Sequence, residues 1–274
     1  MDKLIKLQNP EINPRQDKIL SILEADGYKT ISSLSSSLDV SEQTIRRDLK
    51  KLEDYGFLSK YHGGASFIGK KSDGLIDHDD SPITNIDLSL REVSYVEEKK
   101  AIAHAISEMI PDGSSVFITI GSTVEYIARE LLYKQNLLVI TNSLRVASIL
   151  YSNQNINVII PSGSIRPFNG GIEGLNTLQD LKQFRTDFLI SSIGAIADDG
   201  TLLDYNYTEV MMAKLMMQNA KQAIIGCDSS KFNSQAPIQL ASIAQIHHLV
   251  TDKKPDDTLE QMLLDNNVEL IIAR

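Results

Sequence analysis

The sequence predicts an α/β chain in two parts: a small three-helix unit closed by a β-hairpin, and a larger domain on a mostly parallel sheet. Three observations carry that expectation. Short amphipathic helices follow one another within residues 1–66, a polar aperiodic stretch comes next, and β-branched runs then alternate with helical stretches. The expected boundaries are 12–67 for the first unit, 68–84 for a linker and 85–274 for the α/β domain. At 274 residues there is chain enough for two cores.

Pro14-Arg15 opens the first helix, Ile19, Leu20, Ile22 and Leu23 form its apolar stripe, and Gly27 stops it. Thr30 is the expected N-cap of the second, where Ile31, Leu34 and Leu38 recur at i, i+3 and i+7 among serines. After a turn at Asp39-Val40, Ser41 caps a third helix, SEQTIRRDLKKLEDYG, with Ile45, Leu49 and Leu52 on its buried stripe and Gly56 at its end. Phe57-Leu58-Ser59-Lys60-Tyr61 reads as a strand, His62-Gly63-Gly64 as a turn and Ala65-Ser66-Phe67 as the return strand.

Gln43, Thr44, Arg46, Arg47 and Lys50 lie off the apolar stripe of the third helix. Gln and Arg make paired hydrogen bonds to base edges, Thr reaches a base or a phosphate, and Lys suits a phosphate. On an isolated helix, Arg46, Arg47, Lys50 and Lys51 would read as a solvated face paired with Glu42, Asp48 and Glu53. Here a short helix, a tight turn and a capped basic helix stand in series, as a helix-turn-helix requires. Double-stranded DNA is therefore the expected partner, with Thr30, Ser41 and His62 completing the contacting set. The net charge of −9 does not oppose this, because residues 1–66 hold ten basic and ten acidic side chains and the whole excess lies in 67–274.

From Gly69 to Pro82 the sequence is polar, Asp-rich and aperiodic, as a linker is. His78 stands among Asp77, Asp79 and Asp80, but no second ligand cluster follows and no metal is expected. Beyond it VEEKKAIAHAISEMI is a helix ended by Pro111-Asp112-Gly113. SVFITI, LLVITN, INVIIP, DFLISSIG, QAIIGCD, HHLVTD and VELIIA read as strands buried on both faces. His247-His248 and the methionine pairs at 211–212 and 216–217 fall in apolar periodic segments and are expected in the core.

A single cysteine, Cys227, forms neither an intramolecular disulfide nor a cysteine zinc cluster, which points to a reducing compartment. The charged start MDKLIKLQNPEINPRQ has no signal-peptide core, and no stretch approaches the ~20 apolar residues of a membrane span. The cytoplasm is the expected location, with no membrane partner.

In open parallel sheets ligands bind outside the carboxyl ends of the strands. Small hydroxyl or glycine turns recur there: Gly121-Ser122-Thr123, Thr141-Asn142-Ser143, Ser162-Gly163-Ser164-Ile165-Arg166 and Gly194-Ala195, with Asp228-Ser229-Ser230-Lys231 after a fifth strand. Each alone is an ordinary βα turn. Together they supply N–H and O–H donors and a Lys that suit a phosphate, Gly121, Ser122, Thr123 and Lys231 first and Thr141, Asn142 and Ser143 next.

The stretch VSEQTIRRDLKKLEDYGFL followed by HGGA resembles the winged helix-turn-helix signature of the DeoR family of bacterial transcriptional regulators over about residues 15–66. By that resemblance residues 31–50 form the helix-turn-helix. REVSYVEEKKAIA, IPDGSSVFITIGST, LLVITNSLRVA, FNGGIEG, QFRTDF, DDGTLLDYNYTEV and DSSKF resemble the glycerol 3-phosphate branch of the same family. The resemblance implies a large domain related to phosphosugar isomerases, which binds a phosphorylated metabolite and thereby releases a repressor from its operator. Thr119 and Ser162-Gly163 depart from it, since relatives commonly carry Asp and Gly-Gly there.

The expectation is a DNA-binding repressor sensing a sugar or polyol phosphate, sn-glycerol 3-phosphate first, with Asp204 and Glu209 on the ligand hydroxyls and no cofactor. Otherwise Asp204 would cap a turn and Glu209 would pair with Lys214. One small head reads few bases, so a homo-oligomer, dimer or tetramer, is expected. The alternatives are a regulator of another sugar phosphate, an activator, and a phosphosugar isomerase using Asp204, Glu209 and Lys231 for acid–base chemistry.

Overall fold

A computed structural model describes residues 12–26, 28–54, 57–61, 64–67, 91, 94–167 and 169–274. His62, Gly27, Gly56 and the expected linker 68–84 lie outside these residues. The chain divides into two compact units; among the described residues one holds 12–67 with Arg91 and the other 94–274.

In the first unit, α1 (Pro14–Asp26), α2 (Ile31–Leu38) and α3 (Glu42–Asp54) bury the stripes the sequence marks. Ile19, Leu23, Ile31, Leu34, Ile45, Leu49, Leu52, Leu58 and Ala65 form one apolar core. Thr30 accepts from Ser33 N at 3.1 Å and caps α2, whereas Asp39 turns the chain with φ 51°. Ser41 Oγ accepts from Thr44 N at 3.3 Å at the start of α3. The hairpin β2 (Leu58–Tyr61) and β3 (Gly64–Phe67) is present, and it gains a third strand, β1 (Tyr28–Thr30), antiparallel to β3. Three residues are too few for periodicity to reveal a strand.

Asp48 is not part of the solvated face of α3. It is 4% exposed and accepts from Arg15 Nε at 2.6 Å and Gln16 Nε2 at 2.9 Å, which ties α3 to α1. The Arg15 guanidinium, hydrogen-bonded to this carboxylate, is held above its usual pKa.

The second unit opens with α4 (Val96–Met109), β4 (Ser115–Ile118), α5 (Ser122–Leu131), β5 (Leu137–Thr141), α6 (Leu144–Leu150) and β6 (Ile156–Ile159). A short hairpin follows, β7 (Ser164–Ile165) with β8 (Ile172–Glu173), then α7 (Leu175–Leu181) and β9 (Thr186–Ser191). The remainder is β10 (Ala195–Ile196), β11 (Thr201–Asp204), α8 (Tyr207–Gln218), β12 (Ala220–Gly226), β13 (Ile238–Ser242), β14 (His248–Thr251), α9 (Asp257–Asp265) and β15 (Glu269–Ile272). Seven strands pair in parallel in the order β15-β14-β12-β9-β4-β5-β6, and β10-β11-β13 form a separate antiparallel sheet.

Side chains on the two faces of the large sheet enter different cores. Val116, Ile118, Val139, Ile190, Ile224 and Val250 pack with α4, α5 and α6. Phe117, Ile140, Leu189, Ile225 and Leu249 pack with α7, α8, α9 and the small sheet. The near-continuous apolar strands read from sequence thus reflect helices on one side, and helices plus a second sheet on the other. Met212 and Met216 lie in the second core, but Met211 is 36% exposed, and the histidines are not core residues. His247 is exposed, while His248 hydrogen-bonds Glu269 at 3.0 Å and Gln222 at 3.1 Å near the start of its strand. Imidazole needs polar partners even inside an apolar run.

At the amino end of the sheet Asp187 Oδ2 accepts from Ser115 N at 2.9 Å and Ser115 Oγ at 2.7 Å, and Oδ1 accepts from Lys221 Nζ at 2.8 Å. The Lys221 hydrogen bond, followed by those from Ser115, holds the Asp187 carboxyl well below the usual carboxylate range.

Two predictions follow from these ties. Asp48→Ala leaves the buried Gln16 amide unpaired and should destabilise the first unit by about 1–3 kcal/mol, read as faster hydrogen exchange of the α3 amides. For Asp187 the folded pKa lies below the unfolded one, so its stabilisation is complete above pH ~4 and is lost as the pH falls further. The denaturation midpoint of Asp187→Asn should therefore trail wild type at pH 7 and converge with it as the pH drops below ~4.

Candidate functional site

The outward face of α3 presents Gln43, Arg46, Arg47 and Lys50 to solvent, with Thr44 half-buried behind them. Ile45, Leu49 and Leu52 are fully buried on the opposite side, so packing aims the polar set outward. Arg46 Nη2 pairs with Glu42 Oε2 at 2.9 Å across one helical turn; both side chains are about half exposed, which makes this a weak tie. Thr30 and Ser41 sit at helix starts on either side of α2, each exposed.

In the second unit the site follows from strand order. The chain runs from β4 outward through β5 to β6, returns to the other side of β4 as β9, and continues through β12, β14 and β15. The segment after β4 leads into α5 on one face, and the segment after β9 leads to the small sheet on the other. A crevice at such a switch point is where open α/β sheets bind ligands.

Thr119, Ile120, Asn142, Ser191, Ser192, Asp204 and Glu209 line a narrow cleft here, closed by Val210, Ala213 and Leu240. Thr119 Oγ1 and Ser191 Oγ lie 3.0 Å apart, buried at its floor. An adjoining shallow hollow shares Ile120, Asn142 and Glu209 and adds Arg166, Glu173, Thr208 and Met212. Arg166 holds Glu173 at 2.8 Å and Glu209 at 3.1 Å, and Asn169 Nδ2 donates to Glu209 at 2.8 Å. The β7–β8 hairpin is thereby fastened to the first turn of α8.

Gly121 starts α5 with φ 146°, and a Cβ there would lie 2.5 Å from Ser192 Oγ. Glycine lets the loops after β4 and β9 touch. Among the described residues no side chain caps α5, which leaves its first N–H groups without a capping acceptor beside Ser122 and Thr123, both buried.

Residues 15–71 match the DeoR-like helix-turn-helix domain, and residues 94–253 match the DeoR C terminal sensor domain. The chain belongs to the DeoR family. It is 42% identical over 262 residues to the HTH-type transcriptional repressor CsqR of Escherichia coli (strain K12), covering 96% of each chain. It is 35% identical over 256 residues to the Glycerol-3-phosphate regulon repressor of the same organism, covering 93% of this chain and 97% of that one. The repressor of that name from Haemophilus influenzae (strain ATCC 51907 / DSM 11121 / KW20 / Rd) is 36% identical over 259 residues, with 94% and 96% covered. Among solved structures, ribose 5-phosphate isomerase A from Methanocaldococcus jannaschii gives a TM-score of 0.39 at 16% identity over 51% of this chain and 55% of that one, too loose a likeness to carry an argument. This DeoR-family chain is a DNA-binding repressor with a sensor domain, not an isomerase. Among its described residues no helix is long and apolar enough to cross a membrane.

The structure sorts the sensor-domain candidates of this DeoR-family chain. Asn142, Asp204 and Glu209 line the cleft, with Gly121, Ser122 and Thr123 next along the chain from Thr119 and Ile120. Thr141 Oγ1 instead accepts from Ser143 N at 3.1 Å, and Ser143 Oγ accepts from Val146 N at 3.2 Å as the α6 cap. Lys231 ends a single turn after β12 and does not line the cleft. Ser162 is spent on Asp180, at 2.8 and 2.6 Å, and Gly194 packs under the Tyr205 ring. Sequence reasoning passed over Ser191, Ser192, Glu173 and Asn169; the Ser-Ser ending of DFLISSIG was the available signal.

Gly121→Ala adds a Cβ in left-handed backbone against Ser192 and should lower stability by about 1–3 kcal/mol in thermal denaturation. An unchanged midpoint would mean that the two loops are not in contact.

Proposed function

We propose that this DeoR-family repressor binds operator DNA through α3 and is released from it when a phosphorylated sugar or polyol binds the sensor domain. sn-Glycerol 3-phosphate is the first candidate. What supports the reading is an uncapped helix start that follows directly in the chain on Thr119 and Ile120, two residues of an acid- and hydroxyl-lined cleft at the switch point. Phosphate at the start of α5 meets uncapped N–H groups and the positive end of the helix dipole, while Asp204 and Glu209 accept from the ligand's hydroxyls.

Two relatives named for the glycerol-3-phosphate regulon support the candidate ligand. A second reading, a regulator of a different sugar phosphate, is favoured by the 42% identity to a repressor with another name. On the DNA side, Gln43, Thr44, Arg46 and Arg47 face base edges, and Lys50, Thr30, Ser41 and His62 serve the backbone. Recognition of two half-sites needs a homo-oligomer. A ligand that dissociates the complex by preferring the DNA-free state ~100-fold supplies about 2.7 kcal/mol of coupling.

Binding of the full chain to DNA upstream of its own gene, followed by fluorescence anisotropy, tests both halves. Arg47→Ala should weaken binding by about 1–3 kcal/mol. Glycerol 3-phosphate should dissociate the wild-type complex; if it leaves the complex intact while another sugar phosphate dissolves it, the second reading holds.

A further inference from the structure

Asn142 is the one buried side chain of the sensor cleft with an orphaned polar atom among the described residues. It is 2% exposed, and its Nδ2 donates to Ile172 O at 3.4 Å, which fixes the amide with Oδ1 on the other side. That Oδ1 has no hydrogen-bond partner among the described residues. The hydroxyls nearby are engaged already, Thr119 Oγ1 with Ser191 Oγ at 3.0 Å and Ser191 Oγ with Ser192 O at 3.1 Å. Burying an acceptor without a donor is costly, and a donor arriving with a ligand removes that cost.

The charges at the same end narrow the ligand further. Among the described lining residues, Asp204, Glu209 and Glu173 stand at the two hollows against one cation, Arg166, which is already paired with Glu173 and Glu209. The surroundings of Asn142 are acceptor-rich and net negative. A sugar or polyol hydroxyl donates and carries no charge, whereas a carboxylate or a second phosphate would add like charge without a donor.

We propose that Asn142 reads an uncharged, hydroxyl-bearing end of the ligand, its Oδ1 accepting from a ligand hydroxyl, and that the cleft rejects analogues with a second acidic group at that end. The assignment rests on the sugar- or polyol-phosphate reading above. It makes Asn142 a specificity residue for the hydroxyl chain rather than for the phosphate.

Calorimetric titration of the full chain with matched pairs tests it: glycerol 3-phosphate against 3-phosphoglycerate, glucose 6-phosphate against 6-phosphogluconate, and ribulose 5-phosphate against ribulose 1,5-bisphosphate. The compound that binds should be the monophosphate with the uncharged end, at least ~10-fold tighter than its acidic partner. Asn142→Leu removes the orphaned acceptor, so it should weaken that ligand ~10-fold or more while DNA affinity and the ligand-free Tm hold or rise. Equal or tighter binding of the acidic member, or wild-type affinity in Asn142→Leu, overturns the assignment. A ligand-free Tm that falls in both Asn142→Leu and Asn142→Ala would mark the amide as a structural tie to Ile172 and overturn it as well. No response of the wild type to any of these compounds would overturn the phosphate reading itself, and the assignment with it.

Discussion

The pairing of β4 with β9 is the contact on which the sensor domain depends. Val116, Phe117 and Ile118 align with Phe188, Leu189 and Ile190, and the Ser115–Asp187 hydrogen bonds join residues 72 apart in sequence at the start of the same pair. Between them the chain passes through α5, β5, α6 and β6 on one flank of β4, then returns through the β7–β8 hairpin and α7 to the opposite flank. The crevice at the carboxyl ends is a consequence of that return, because the loops after β4 and β9 depart to opposite faces. Gly121 and Ser192 mark how closely those loops meet.

Polar groups are distributed around this pairing according to the access of water. At the amino end of the sheet Asp187 is saturated by Ser115 and Lys221 and serves only to hold strands together. At the carboxyl end Thr141 and Ser143 are spent on turning the chain, whereas Asn142 between them holds a buried acceptor with no hydrogen-bond partner among the described residues. The Arg166–Glu173–Glu209 cluster fastens a short hairpin over the same opening. A rigid, preorganised rim lowers the ordering cost of any binding at such a cleft.

The first unit shows the same division between structure and recognition within a single helix. Of the charged residues in EQTIRRDLKKLED, Asp48 is turned inward to Arg15 and Gln16, and Arg46, Arg47 and Lys50 are turned outward. Helical periodicity distinguishes the buried stripe Ile45, Leu49 and Leu52 from the rest, but it cannot say that an acid beside the stripe will find a partner on another helix. That partner lies 33 residues away in the chain.

The elements themselves were legible in sequence because their signals are local: caps at Thr30 and Ser41, stripes at i, i+3 and i+7, and β-branched runs ended by small turns. Seven parallel strands and three amphipathic helices come from such signals alone. The short strands at 28–30, 195–196, 201–204 and 238–242 did not, since their lengths and antiparallel pairing depend on neighbours far away in sequence. The sequence by itself determined which turns were rich in donors. Only the tertiary structure decided which of them face one cleft, admitting Asn142, Asp204 and Glu209, adding Thr119, Ser191 and Ser192, and turning Thr141 and Ser143 to capping. The physical reason is that convergence on a site is set by strand order, and strand order is fixed by long-range pairing that leaves no periodic trace in the chain.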